Sequence, residues 1–553
     1  MKKILFTSFA FSAVFLLLLN LTFGTYFEGY EPIINALFSG EFSSQMGFTF
    51  FVSTWFGLSA VISSLTHYFN SSFAYSWVCT GLNLLILTSF TSCFLLLIKH
   101  KVLTFRHAAL IYVAFLFSFL ESLVYVYNLR ISFFSLLAAF FYFSAIQKFS
   151  LNKKNYVLVF ILAFIGIYTR LEIAVITAFI FLMFSILFYR KTMLFSICIF
   201  IASLATFSFY KVYEHKVYPD CEVMLNVETE FGDKESISPD DYQDQATKLK
   251  LEAIGRYIED DDVYGIKDIA RFTSTKTMVE YLRSEKFPQI YLHKLFHLSG
   301  KLKNYLWLFL LTFCLTIFAG YIYVEGQSQW RLEILKMVAL TAIIFLVILA
   351  LNLVVICPHN LIVVILSAYG LVSIAYLSIH FYKSKSIKYF ILAFLVAQTF
   401  FLGKYLYELH TLQVEKYAKA KVVRALLVDL AEQQKQIVFA NGTHEDNYPA
   451  RLFSGLLEQR VTNYYADFFL SRYPFFRKHN ELLFGSNYGR LKSKLITIAD
   501  TQNNVVYFSN EKYNDFLKEY VRHFHGMELW FSPLETKVDL QDLKPYLVHI
   551  GKE

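Results

Sequence analysis

The sequence predicts a polytopic α-helical membrane protein with an α/β domain at its C-terminal end. Three observations carry that prediction. Of the 553 residues, 56% are hydrophobic, 19% aromatic and only 17% charged, against about 25% charged in ordinary soluble domains. Apolar runs long enough to cross a bilayer recur along the first 407 residues. The segments between those runs alternate between short basic stretches and longer stretches of mixed charge. The mean hydropathy of +0.45 excludes a soluble enzyme, a disordered scaffold and a disulfide-stapled secreted module. The formal net charge of +8 comes from short clusters between apolar runs. That is the pattern of cytoplasmic loops and not of a nucleic-acid-binding surface. The 6 cysteines show no CxxC and no paired spacing, which argues against a disulfide framework or a zinc site.

The first apolar run, Ile4 to Phe23, follows Lys2 and Lys3. A signal peptide would have an apolar core of about 7–15 residues and a small-x-small cleavage site. This run is longer and ends in Leu21-Thr22-Phe23-Gly24, so it reads as an uncleaved helix with its basic end in the cytoplasm. Further runs at 76–98, 107–127, 131–149, 156–170, 172–189, 193–212, 304–324, 337–356, 361–381 and 389–407 bring the total to about eleven spans. The run 46–66 is apolar but broken by Ser, Thr and Gly. If it does not cross, every predicted inner segment is basic: Lys2-Lys3, Lys99-His100-Lys101 with Arg106, Lys148 with Lys153-Lys154, Arg190-Lys191, Arg331 with Lys336, and Lys383 with Lys385 and Lys388. The predicted organisation is therefore a membrane domain at 1–407 with outer loops at 24–75 and 213–303, followed by an outer α/β domain at 408–553.

The 213–303 loop reads as helical. Ser238-Pro239-Asp240-Asp241 has the form of a helix start, with apolar residues then recurring at Leu249, Ile254 and Ile258. The run Glu259-Asp260-Asp261-Asp262 is the one candidate for a divalent cation. It lacks the alternating ligand spacing of a calcium loop and reads instead as a solvated acidic turn. In the tail, 415–434 reads as a helix, while 436–440, 495–498 and 505–508 read as strands. Glu511 to His525 reads as a helix stopped by Gly526.

Charged groups inside spans are costly and usually face the protein interior or water. Glu121, Arg130, Arg170, Glu172, His359 and Lys404 all map to the outer ends of predicted spans, with Glu28 and Glu31 just past the first helix. The inner ends are basic and nearly free of acids. A layer that mixes acids and bases at the outer ends points to a shared site. Arg170-Leu171-Glu172 interrupts two short apolar stretches, where an internal ion pair or a phosphate contact would account for it. No P-loop, GxSxG or HExxH occurs.

This arrangement resembles the GT-C superfamily of membrane glycosyltransferases, which take a sugar from a polyprenyl-phosphate donor on the outer face. An inward-starting first helix is followed by an acid-bearing outer loop, Tyr26-Phe27-Glu28-Gly29-Tyr30-Glu31, and by Asn35-Ala36-Leu37-Phe38-Ser39-Gly40. A surface segment at 46–66 precedes the second span. Gly166-Ile167-Tyr168-Thr169-Arg170-Leu171-Glu172 is similar to the superfamily's motif between two short spans, and Cys357-Pro358-His359-Asn360-Leu361 precedes a late span. In two places the chain departs from the common pattern: the first-loop acid is Glu where Asp is commoner, and His359 stands where an Arg is frequent.

The resemblance implies Glu28 as catalytic base with Glu31 second. It implies Arg170 on the lipid phosphate, with Glu172, His359, Arg130 and Lys404 around it. The implied partners are a lipid-linked sugar donor, an acceptor that is a lipid, glycan or protein, and membrane lipids, with no nucleic acid. A transporter or flippase of lipid-linked or polysaccharide substrates is the alternative reading. Such proteins favour charges near the midplane and repeated halves, neither of which is legible here. Short inner loops and a Phe, Lys and Asn bias lean towards a bacterial cytoplasmic membrane.

Overall fold

The computed structural model describes residues 2–27, 55–56, 58–69, 73–102, 104–217, 242–256, 258–273, 287–292, 330–354, 385–440, 464–466, 480–535 and 544–552, together with a few single positions. Glu28, Glu31, His359, Ser238, the predicted span 304–324 and, apart from Ile365, the predicted span 361–381 lie outside the described residues.

The N-terminal half is a helical bundle. It runs α1 (Lys2–Phe23), β1 (Tyr26–Phe27), α2 (Leu58–Phe69), α3 (Ala74–Lys99), α4 (Phe105–Val124), β2 (Tyr125–Val126), α5 (Asn128–Phe149), α6 (Tyr156–Thr169), α7 (Leu171–Leu187) and α8 (Met193–Val217). Among the described residues four helical stretches are long and apolar enough to cross a membrane: Lys2–Phe23, Ala74–Lys99, Asn128–Phe149 and Arg190–Val217. This is the make-up of a membrane-embedded protein. Helix α2 has 12 residues, a length of about 18 Å, too short to span a hydrocarbon core of about 30 Å.

The bundle is built around α5. Almost every residue of its first four turns is buried, whereas α1 turns Phe6, Leu17 and Leu21 outward. Lipid is as apolar as Leu, so what holds such helices together is close packing and hydrogen bonding. Both are visible where α6 meets α5. A Cβ on Gly166 would sit 2.5 Å from Cγ of Leu136 and 3.0 Å from the carbonyl oxygen of Ser132. Glycine lets the backbones approach, and the Ser132 hydroxyl then donates to the Gly166 carbonyl at 2.6 Å. Phenylalanines fill the remaining space, with ring centroids 4.3 Å apart for Phe119 and Phe134 and 4.5 Å apart for Phe90 and Phe115.

Beyond the bundle come α9 (Gln245–Gly255), α10 (Ile266–Thr273), α11 (Trp330–Val354) and α12 (Lys385–Glu432). The predicted span 389–407 and the predicted helix 415–434 are one helix of 48 residues, about 72 Å long at 1.5 Å per residue. It passes through the predicted boundary at 407 and leads directly into the sheet.

The C-terminal elements are β3 (Gln436–Phe439), β4 (Tyr464–Ala466), α13 (Leu491–Ala499), β5 (Val505–Ser509), α14 (Glu511–His525), β6 (Met527–Pro533) and β7 (Lys544–Lys552). Five strands form one sheet in the order β4-β3-β5-β7-β6. The first three are parallel, and β7 and β6 are antiparallel. The strands expected at 436–440 and 505–508 are present. So is the helix Glu511–His525, with the Asn510 side chain accepting from the Tyr513 amide at 2.8 Å and Gly526 closing it at φ +56°. The segment 495–498 is a correction: it lies in helix α13. Its β-branched residues suggested a strand, but Leu491, Lys494, Leu495 and Ile498 are the buried positions, which is helical spacing.

The acidic run is a second correction. Glu259 and Asp260 are 1% and 0% exposed. Glu259 pairs with the buried Lys494 at 3.7 Å. Oδ2 of Asp260 accepts from the Tyr520 hydroxyl at 3.1 Å and lies 2.8 Å from Nε2 of His525. The Asp261 amide donates to the Gly489 carbonyl at 2.9 Å, and Asp262 pairs with Arg490 at 3.5 Å. Only Asp261 and Asp262 face solvent. The run's partners are thus Lys, Tyr, His and Arg side chains, and no group of three or more His, Cys, Asp or Glu among the described residues is arranged to hold a metal ion. Leu249, Ala253, Ile254, Ile258, Tyr264 and Ile269 share one core with Leu495, Tyr507, Leu517 and Tyr520. The middle loop and the tail therefore fold as one unit. Helix α9 starts at Gln245, where the Asp244 carboxylate accepts from the Thr247 amide at 2.8 Å. That bond, with a second from the Thr247 hydroxyl, holds the Asp244 carboxyl below its ordinary range.

Candidate functional site

The residues with chemical potential collect at one end of the bundle. Helix α1 stops at Phe23, and Gly24 turns the chain at φ +72°, a conformation that favours glycine. Tyr26 and Phe27 then pair in parallel with Tyr125 and Val126. This short strand pair joins the exits of α1 and α4 to the entry of α5. Phe27, the residue before Glu28, is 1% exposed and stacks on Tyr75 at 5.4 Å. Trp55 meets Tyr75 edge-on at 5.6 Å, and its amide donates to the Thr169 carbonyl at 2.7 Å. That bond draws the first loop to the junction of α6 and α7.

Arg130 lies in the first turn of α5 and is 1% exposed. Its Nη1 donates to the Tyr125 carbonyl at 2.9 Å, which ties the guanidinium to the strand pair. A guanidinium has five donors and stays charged, so burying one is costly unless oxygens surround it. Two residues on, the Ser132 hydroxyl reaches both the Gly166 and Arg170 carbonyls, at 2.6 and 3.3 Å. Arg130 and Arg170 are thereby held at the same end of the bundle.

Arg170 interrupts the helices. Its backbone is extended, at φ −153° and ψ 105°, and it caps α7. Its Nε lies 3.1 Å from Oε2 of Glu172, with both side chains about one-third exposed (32% and 35%). Glu172 stands in the first turn of α7, where the helix dipole favours an acid. The pair is therefore half-open, with a carboxylate orienting the guanidinium.

Lys404 is 69% exposed on α12 and lies 3.8 Å from Glu408, as a surface pair one turn apart. Glu121 lies in the last turn of α4. The basic segments terminate the same helices at the opposite end, where His100 stacks on Phe149 at 4.3 Å.

Two features of this end were missed by sequence reasoning. Glu214 on α8 is 2% exposed, accepts from the Tyr210 hydroxyl at 2.5 Å and pairs with Lys211 at 2.6 Å. Tyr210 packs edge-on against Phe56, which stacks on Tyr168 beside the Arg170 junction. The Tyr210 to Glu214 spacing, one helical turn, is the signal that could have found it. The second is His410 on α12, whose ring meets Tyr26 at 5.9 Å and Phe23 at 6.4 Å.

Comparison of the chain with protein families, with curated proteins and with solved structures finds no match.

Proposed function

We propose that the chain is a multi-pass membrane glycosyltransferase of the GT-C kind, with about eleven spans. It moves a sugar from a polyprenyl-phosphate donor to an acceptor on the outer face of the membrane. The observation that carries this reading is that Arg130 is tied to the strand pair whose first strand ends at Phe27, one residue before Glu28, while Ser132, two residues on, holds the backbone of Arg170, whose side chain pairs with Glu172. Lys and Arg at the opposite helix ends support a cytoplasmic N-terminus and an outer site.

In the proposed reaction Glu28 takes the proton of the acceptor hydroxyl as that oxygen bonds to the anomeric carbon. The bond from the anomeric carbon to the phosphate oxygen breaks, and the phosphate leaves with both electrons. Arg170 stabilises the charge that develops on the phosphate, and Glu172 keeps the guanidinium aimed. Arg130 adds positive potential from beneath. Glu31, His359 and Lys404 are secondary candidates for the same donor. The loop and tail unit, carried by α12, lies on the acceptor side in this reading.

The test is transfer of labelled hexose out of a polyprenyl-phosphohexose and onto a co-reconstituted membrane lipid and glycan extract by the full chain in proteoliposomes, with release from the donor as the readout. Glu28→Gln is expected to abolish release without lowering thermal stability, and Arg170→Ala to slow it by about 10²–10³-fold. A wild-type protein that moves the intact lipid between leaflets and releases no sugar refutes the reading in favour of a flippase.

A further inference from the structure

The end of the bundle opposite the Arg170 junction carries cations without counter-charges. Between Glu121 and Glu214 the only acid in the sequence is Glu172, which stands in the first turn of α7 at the other end. Lys153, Lys154, Arg190 and Lys191 lie in the same stretch of chain. All four are exposed, and none has an ion-pair partner among the described residues.

The four ride on two fixed turns. Lys153 and Lys154 belong to the 3₁₀ turn Lys153–Asn155, where the Asn152 side chain accepts from the Lys154 amide at 3.1 Å. Arg190 and Lys191 belong to the 3₁₀ turn Arg190–Thr192. There the Thr192 hydroxyl donates to the Tyr189 carbonyl at 2.8 Å and lies 2.9 Å from the buried Ser185 hydroxyl, which in turn meets Ser196 at 2.8 Å. One ring of α5 draws the two turns together. Phe143 stacks on Phe195 at 4.2 Å and meets Tyr156 at 5.8 Å. Tyr156 directly follows the first turn, and Phe195 comes three residues after the second.

Positive charge at helix ends orients a chain in the membrane wherever along the loop it lies. Orientation does not require that two cation pairs be fixed on turns that meet at a common ring, where like charges repel. An anion shared between them removes that repulsion. The neighbouring surface indicates which anion. Val157 and Leu194, each beside one of the ring partners of Phe143, are 60% and 73% exposed. Apolar surface therefore begins where the cations end. A soluble anion leaves that surface bare, whereas an anionic phospholipid matches both parts, its headgroup drawn to Lys and Arg at the ends of spans.

We propose that the turns Lys153–Asn155 and Arg190–Thr192 together bind the phosphate of an anionic phospholipid, with its acyl chains against Val157 and Leu194. The site lies at the other end of the bundle from Arg170 and depends on no step of the proposed transfer.

The experiment titrates the full chain in a neutral detergent with cardiolipin, with phosphatidylcholine and with inorganic phosphate, and follows the melting temperature to obtain an apparent affinity. Cardiolipin is expected to raise the melting temperature of the wild type and the other two to leave it unchanged. The double variant Lys153→Gln with Lys154→Gln, and the double variant Arg190→Gln with Lys191→Gln, are each expected to weaken the affinity for cardiolipin by roughly 25-fold, at about fivefold per cation lost. Without lipid both are expected to melt with the wild type, because no ion pair is removed. The double variant Lys99→Gln with Lys101→Gln takes the same charge from the exit of α3 and is expected to change the affinity far less. No stabilisation by cardiolipin overturns the inference. So does an equal loss of affinity in the Lys99 and Lys101 variant, which marks diffuse attraction to a basic surface. Equal stabilisation by inorganic phosphate marks a site for a free anion and overturns it as well. A lower melting temperature of either turn variant without lipid assigns the cations a structural role instead.

Discussion

Oδ2 of Asp260 lies 2.8 Å from Nε2 of His525, although the two residues are 265 positions apart. The contact fastens the middle loop to the last helix of the tail, and the Tyr520 hydroxyl shares the same carboxylate oxygen. Removing one partner of a buried polar set leaves the others desolvated. Asp260→Ala is expected to destabilise the loop and tail unit by about 3 kcal/mol. Limited proteolysis of the full chain, followed at sites between 242 and 273, checks this. Cleavage at the wild-type rate would show that the contact does not hold the loop.

The Tyr520 hydroxyl is held well above the ordinary tyrosine range. The largest cause is burial, followed by the neighbouring Tyr264 and Asp260. Between its unfolded value of about 10 and its folded value, the native state keeps a proton that the unfolded state has lost. That stabilisation is complete below pH about 10 and is lost as pH rises further, by up to about 1.4 kcal/mol per pH unit. Tyr520→Phe is expected to flatten this alkaline loss, measured as unfolding of the same unit between pH 9 and 11 (~1 unit either side of the unfolded value). An unchanged slope would assign the loss to other groups.

Gly166 and Gly81 make a controlled comparison inside the bundle. A Cβ at Gly166 meets Leu136 and the Ser132 backbone at 2.5–3.0 Å, whereas at Gly81 nothing lies within 4 Å. Gly166→Ala is expected to force α5 and α6 apart, lowering stability by about 1–3 kcal/mol and loosening Arg170 with it. Gly81→Ala is expected to leave the melting temperature in detergent unchanged or slightly raised. Equal melting temperatures for the two variants would mean that the close approach carries no stability.

Much of the architecture was legible because hydropathy and turn chemistry are local. The helices of the first 217 residues follow their apolar runs, and Arg170-Leu171-Glu172 marked the break between α6 and α7 because two charges end an apolar helix wherever it packs. Gly526 announced the end of α14 through a left-handed backbone preference that needs no partner. At Leu495 to Ile498 the local reading failed. β-branched residues favour strands only weakly, and the core made by Leu491, Leu495 and Ile498 outweighed that preference.

The sequence by itself determined that this is an apolar, helix-rich membrane protein ending in an α/β unit, and that Arg130, Arg170 and Glu172 stand at helix ends. Only the tertiary structure decided that Glu259 and Asp260 are buried, that the middle loop and the tail share one core, and that His410 meets Tyr26 and Phe23 at the exit of α1. The physical reason is the range of the interaction. Hydrophobic period and capping act over a few residues, whereas the burial of Glu259 and Asp260 depends on Lys494, Tyr520 and His525, more than 200 positions away.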